Sequence, residues 1–255
     1  RLAPERPTGF AVARNGYGRP TRVVDMIEAG HPIPDAAGLA AAERALEYAD
    51  AADTDDLVLV LMSGGASANW IAPAAGITFA DKQAVTRALL RSGAHIGEIN
   101  TVRKHLSRIK GGRLARHAFP AKVATIAISD VPGDDAAVIG SGPTVPDPST
   151  LAEARAIVAK YRLAVPEAVT RALADPANES PKPGDKAFDG ANYTLAARPA
   201  DALAAAEAAA RAAGYEVISL GDRVEGEARD VAAAHAQRAR ALREQGKRAV
   251  IMSGG

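Results

Sequence analysis

Two stretches of the chain carry apolar residues without a break. Leu57–Met62 reads LVLVLM and Lys122–Ile128 reads KVATIAI, and neither alternates as a strand with one wet face would. Continuous apolarity of strand length predicts parallel strands buried on both faces. Shorter runs predict strands at Phe10–Arg14, Val23–Ala29, Tyr193–Ala197, Glu216–Leu220 and Ala249–Met252. Between them apolar positions recur at helical spacing. Helices are predicted over Ala36–Ala49 behind an Asp35 N-cap, over Lys82–Arg91 behind Asp81, and over Glu98–Ile109, Leu151–Tyr161, Ala200–Ala213 and Ala228–Arg243. Strands alternating with helices predict an α/β fold, a Rossmann-like three-layer αβα sandwich with a mainly parallel sheet. The polar, Pro-rich run Asp175–Asp189 interrupts that rhythm. It reads as a surface linker, so that 1–174 form the core of a large domain, 175–190 a linker or loop, and 191–255 further βαβ elements. Arg1–Gly9 reads as an irregular start. The chain opens without methionine and stops where a strand enters a loop, so both ends read as cut.

Composition narrows the class without altering the fold. With 255 residues, 47% hydrophobic and 24% charged, the chain can bury a sizeable core and is not a disordered one. A net charge of +1 supplies no field that would favour nucleic acid or a membrane surface. The absence of cysteine excludes disulfides and thiolate metal sites. No apolar run reaches the roughly 18 residues of a membrane span, and no signal segment is visible, which reads as a cytoplasmic protein.

The chemistry-bearing residues cluster where the apolar segments end, the place where an α/β sheet presents its binding groups. Ser63, Gly64, Gly65, Ala66 and Ser67 follow the first buried strand, and small residues there let backbone amides approach an anion. A plain strand-to-helix turn would read the same way. In Glu98–Ile109 the apolar stripe is Val102, Leu106 and Ile109, while Arg103, Ser107 and Lys110 share another face with Lys104 beside them. Gly111 and Gly112 break the helix, and Arg113 opens the next one with free amides and a positive dipole end. That suggests a polyanion site; the alternative is a solvated basic face. Asp130 follows the second buried strand, where a metal-binding or base-like carboxylate sits in open α/β sheets. Asp134 and Asp135 either share that task or cap the helix beyond. Ser141 and Gly142 add a further hydroxyl and a further glycine to the set.

Taken in order, EAGHPIPD, LMSGGASANW, SGAHIGEINTVRKHLSRIKGGRLA, ISDVPGDD, SGPTVPDPST and LGDRVEGEARDVA resemble the glycerate 2-kinase family, whose members also carry the name hydroxypyruvate reductase. The resemblance runs from about Gly30 to Gly255. It implies phosphoryl transfer from ATP, with Mg²⁺, to the 2-hydroxyl of D-glycerate, giving 2-phosphoglycerate. It implies a large Rossmann-like domain and a smaller C-terminal one with the active site in their cleft, and it allows a homodimer. Under it, Ser63–Ser67, Arg103, Gly111, Gly112, Arg113, Ser141 and Gly142 would bind substrate or phosphate. Lys104, Lys110 and Asp130 would act in catalysis, and Asp130 with Asp134 would hold the metal. The family's N-terminal lysine in a Gly-Lys-Ala context and its C-terminal Gly-Arg-Gly-Gly-Arg-Asn-type motif are absent from this chain. Asn69 and Trp70 stand where members commonly have leucines. A nicotinamide-dependent hydroxypyruvate reductase would call for a Gly-x-Gly-x-x-Gly turn, which the chain lacks. A non-catalytic ligand-binding domain is the third reading.

Overall fold

A computed structural model describes residues 7–255. The expected irregular start lies, as far as Arg6, outside the described residues. Along the chain run β1 (Phe10–Arg14), β2 (Asp25–Ala29), α1 (Ala36–Asp50), β3 (Leu57–Met62), α2 (Ala66–Asn69), α3 (Phe79–Arg91), α4 (Ile96–His105) and α5 (Arg113–Ala118). There follow β4 (Lys122–Ile128), α6 (Leu151–Lys160), α7 (Glu167–Ala174), β5 (Ala191–Ala197), α8 (Pro199–Ala212), β6 (Glu216–Ser219), α9 (Ala228–Glu244) and β7 (Ala249–Met252). β1 and β2 pair in parallel, Phe10 opposite Asp25, and β6 and β7 pair in parallel, Glu216 opposite Ala249. β3, β4 and β5 form a third sheet in that order. This is the α/β class with mainly parallel pairing, flanked by helices in Rossmann-like fashion. The chain divides into two compact units, one running to Ile126 and resuming over Ala136–Thr194, the other made of Ala127–Asp135 and Leu195–Gly255.

The first unit owes its core to α3, α4, α6 and α7, whose apolar stripes enclose Val85, Leu89, Val102, Leu106, Leu151 and Val169. Each such side chain contributes roughly 1.5–3 kcal/mol by leaving water. The caps are local. Asp35 accepts from the Gly38 amide and starts α1 as predicted. Thr78, not Asp81, caps α3; Asp81 is its third residue and closes a capping box on the Thr78 amide. α4 ends at His105, four residues before its apolar periodicity does. There the Lys82 ammonium group reaches over from α3 to the carbonyls of Arg103 and Leu106, at 2.8 and 2.9 Å, and the Arg108 amide turns away to Ala72. α7 was not predicted, although Pro166 precedes it, Glu167 opens its first turn, and Val169, Ala172 and Leu173 form its buried face.

Three expectations are corrected here. β3 is not buried on both faces: Val60 and Met62 are buried, whereas Leu57, Leu59 and Leu61 are at least half exposed. The apolar run therefore marks a strand with one face on the core and one face of uncovered leucines. Nor is β4 buried on both faces, for Ile126 and Ile128 are exposed. The 175–190 stretch is partly packed. Ser180 and Pro181 are buried, the Asp147 amide donates to the Pro181 carbonyl, and Lys182 Nζ donates to Ser180 Oγ at 2.8 Å. Proline stiffness reads from sequence as a linker, but here it presents backbone carbonyls to buried donors.

The second unit contains the β6–β7 pair with α8 and α9. Neither helix buries a residue fully. Asp201 closes α8's first turn by accepting from the Arg198 amide at 3.0 Å. The Ser129 amide donates to the Ala197 carbonyl, which fixes the start of the Ser129–Asp135 loop.

Candidate active site

Three turns of the first unit meet beyond the end of β3: Ser63–Ser67, Ser107–Gly112 and Ile139–Gly142. Gly65, at φ +87°, lets the chain reverse into the short α2 helix, and the His31 ring lies against it. α2 presents Ser67, half-buried, at its second position. The Lys110 ammonium donates to Ser67 O at 2.7 Å and to Ser67 Oγ at 3.2 Å. Ser67 Oγ in turn lies 2.8 Å from Ser141 Oγ. Residues 43 and 74 positions apart are thus joined through one hydroxyl.

Ser107 shapes the turn that carries Lys110, its Oγ accepting from the Ile109 and Lys110 amides. The glycine pair that follows does not offer free amides. Gly111 N donates to Ser141 O at 2.9 Å and Gly112 N to Gly142 O at 2.7 Å. The expected anion cradle at the start of α5 is therefore a zipper between two turns, and both glycines are buried. Gly112 sits at φ +79°, where a Cβ would stand 2.9 Å from the Val145 carbonyl oxygen and 2.7 Å from Phe188 Cζ. Ser141 and Gly142 belong to the same zipper, and Ser141 is wholly buried.

The cations separate into distinct tasks. Lys104, expected to act in catalysis, is held in a buried ion pair: its ammonium lies 2.6 Å from Asp147 Oδ1, with side-chain exposures of 7% and 0%. Burial alone would raise the Asp147 pKa, but bonds from Lys104 and from the Ser149 amide and hydroxyl hold it below the ordinary carboxylate value. Arg113 is also buried and structural, donating to the carbonyls of Lys104, Lys110 and Asn178. Burial brings its pKa down to about 10. Lys110, 3% exposed, is lowered to about 7, by burial first and then by the charge of Arg103. Burial lowers Lys82 as well, with Lys110, Arg103 and Arg113 adding to the effect. Arg103 differs from all of these. It is part-exposed, and among the described residues its guanidinium has no hydrogen bond or ion pair. A cluster of four basic side chains (Lys82, Arg103, Lys110 and Arg113) therefore includes one part-exposed guanidinium with no counter-ion among the described residues. That is the electrostatic pattern of a site for an anion.

Asp130 and Asp134 belong to the second unit. Asp130 is exposed. Asp134, at φ +57°, has its Oδ1 buried without a hydrogen-bond partner. Among the described residues no group of three His, Cys, Asp or Glu side chains is placed to hold a metal ion. No helix of the described residues is long and apolar enough to cross a membrane. Sequence reasoning missed Lys82 and Asp147. A lysine on an amphipathic helix ordinarily points to water, and nothing local announces that this one closes a neighbouring helix. Asp147 carried the weak signal of an acidic residue between two prolines.

A family described as a domain of unknown function, DUF4147, matches residues 2–174. D-glycerate 2-kinase of Thermotoga maritima is 45% identical over 175 residues, covering 68% of this chain and 41% of that protein. The crystal structure of glycerate kinase from the same organism superposes with a TM-score of 0.81 at 35% identity, covering 97% of this chain and 59% of that one. The chain belongs to this glycerate-kinase-like family. Another relative, from Agrobacterium vitis and provisionally named a hydroxypyruvate reductase, is 48% identical over 252 residues, which is 97% of this chain and 57% of that protein. The chain thus spans less than two thirds of the length of these glycerate-kinase-like relatives.

Proposed function

We propose that this chain is part of a glycerate 2-kinase, which phosphorylates D-glycerate at its 2-hydroxyl with ATP. The observation that carries the reading is Arg103, a guanidinium without a counter-ion at the rim of a cation cluster. Phosphoryl transfer needs positioning and neutralisation of charge more than covalent chemistry, and this site is rich in both. Arg103 would take an anionic group of glycerate or of the nucleotide, and the Ser63–Ser67 loop would bring its main chain alongside. Lys110 would act behind Ser67, while Lys104, Arg113 and the Gly111–Gly142 zipper hold the turns in place.

Mg²⁺ would bring the phosphate oxygens of ATP together and offset their charge. It is satisfied by one or two carboxylates with water and phosphate oxygens. Asp130 and Asp134 would be its carboxylates; Asp134 Oδ1 has no hydrogen-bond partner among the described residues.

The names of the Agrobacterium relatives favour a second reading, reduction of hydroxypyruvate. Against it stands the loop after β3, Ser-Gly-Gly-Ala-Ser, which is not a dinucleotide-binding turn. One assay on the full-length protein separates the two. ADP formation that requires D-glycerate supports the kinase. NADH oxidation that requires hydroxypyruvate, with no glycerate-dependent ADP, overturns it.

A further inference from the structure

The Lys110 ammonium group is an unusual thing to bury. It is held inside by a single residue, Ser67, through one carbonyl and one hydroxyl. A protonated lysine has three N–H donors and no acceptor. Two partners leave the third donor unmet in a buried place, which is costly. A neutral amine leaves one N–H unmet as well, but it carries no buried charge: one N–H donates to Ser67 O and the lone pair is free to take the Ser67 hydroxyl proton. Arg103 from α4 is the cation that acts on it, and Lys82 from α3, Arg113 from α5 and Lys110 crowd the same region. Lys104 already neutralises Asp147, the carboxylate of this region. Burial and then the charge of Arg103 lower the Lys110 pKa to about 7, so the neutral amine is well populated at and above that pH.

Burial also means that Lys110 cannot meet a ligand directly. Ser67, which is half-buried, can. Its hydroxyl is aimed from behind by Ser141 Oγ at 2.8 Å, and Ser141 is itself tied to the lysine's turn, because its carbonyl accepts from Gly111 N at 2.9 Å. A buried amine, a half-buried hydroxyl and a wholly buried hydroxyl are thus linked through Ser67 Oγ.

We propose that Ser67 and Lys110 form a proton relay that removes the proton from a hydroxyl group of the substrate, with Ser141 holding Ser67 in line. This deepens the kinase reading and rests on it. The step balances as follows. The substrate O–H bond breaks and its proton passes to Ser67 Oγ. The proton of Ser67 passes to Lys110 Nζ, which becomes an ammonium. The electron pair left on the substrate oxygen forms the new O–P bond to the γ-phosphorus, and the bond from that phosphorus to the bridging oxygen breaks, its electrons leaving with ADP. The extra proton on Lys110 then returns to solvent through Ser67. In this account Ser67 is the catalytic residue. Lys110 and Ser141 are positioning residues that act through it.

The test is the pH dependence of kcat in the full-length protein with ATP and D-glycerate. Wild type is expected to gain rate as pH rises through about 7 and then level off. Lys110→Arg keeps the charge but cannot lose its proton; it is expected to lose at least ~100-fold in kcat, the lower range for general base catalysis, and to show no rise across that limb. Ser67→Ala should do the same with little change in KM for either substrate, and Ser67→Thr, which restores a hydroxyl, should recover part of the rate. A wild-type limb that survives unchanged in Ser67→Ala overturns the relay. Should Lys110→Arg not fold, the Ser67 pair decides alone. NMR of ¹³C-labelled lysine supplies a readout that needs no turnover: Lys110 should titrate near 7 in wild type and move in Ser67→Ala. If wild type makes no glycerate-dependent ADP, the kinase reading has failed. If it does and the Lys110 signal titrates in the ordinary lysine range, the relay alone has failed.

Discussion

Replacing Lys104 by methionine separates a structural lysine from a catalytic one. Methionine matches the aliphatic stem and removes only the charge. The carboxylate of Asp147 would then be left fully buried, with Oδ1 bonded to the Ser149 amide and hydroxyl at 3.0 and 2.7 Å and Oδ2 bonded to nothing. Breaking a buried ion pair from one side typically costs about 3–5 kcal/mol, because the remaining charge is uncompensated. We expect Lys104→Met to lose about that much in urea unfolding, as a lower midpoint at unchanged slope. Adding Asp147→Asn removes the stranded charge and should restore about 1–3 kcal/mol, making the pair strongly non-additive. The pH dependence has a definite sign. Asp147 is depressed in the folded state, so its stabilisation is present above the ordinary carboxylate pKa and lost as pH falls through the folded value. In Lys104→Met the folded Asp147 pKa rises, so that acid loss should shrink or reverse. The reasoning is refuted if Lys104→Met stays within about 1 kcal/mol of wild type, or if the double variant is no better than the single one. A normal stability with abolished kcat would instead return Lys104 to the reaction.

Other outcomes follow from the same geometry. Gly112→Ala must place a Cβ at φ +79° against the Val145 carbonyl and Phe188. A loss of about 2–4 kcal/mol is expected from backbone strain plus overpacking, and a thermal or urea midpoint close to wild type would contradict it. Arg103→Ala in the full-length protein should raise KM for one of the two substrates by roughly 10–100-fold, the worth of one charge-assisted hydrogen bond. Its melting temperature should hardly move, since the guanidinium has no partner among the described residues; unchanged kinetics would remove Arg103 from the site. Lys110 is lowered to about 7, so between that pH and the ordinary lysine range the unfolded chain binds more protons than the folded one. Stability should therefore climb with pH across that interval in wild type and climb less in Lys110→Met, as urea titrations at several pH values would reveal.

Most elements were legible from periodicity and punctuation. β3, β4, α1 and α9 follow directly from apolar spacing and from residues such as Asp35 that prefer caps. The end of α4 was not, because its apolar stripe continues to Ile109 while Lys82, 21 and 24 positions upstream of the carbonyls it binds, closes the helix at His105. The candidate site was legible as a set of unusual residues but not as roles. Lys104 and Lys110 are equivalent as letters in a basic helix. One meets a buried carboxylate, the other a serine hydroxyl, and the difference comes from segments more than forty residues away in either direction.

By itself the chain's pattern determined the α/β class and the positions of the apolar strands. These depend on interactions between near neighbours, whose period survives in one dimension. Only the tertiary structure decided which lysine is paired and which is left with a hydroxyl, and that Gly111 and Gly112 bind carbonyls rather than an anion. It alone showed that Asp175–Asp189 packs as part of the first unit. Charge and hydrogen bonding act over a few ångströms regardless of separation along the chain, so a side chain's task is set by whichever distant segment the fold brings beside it.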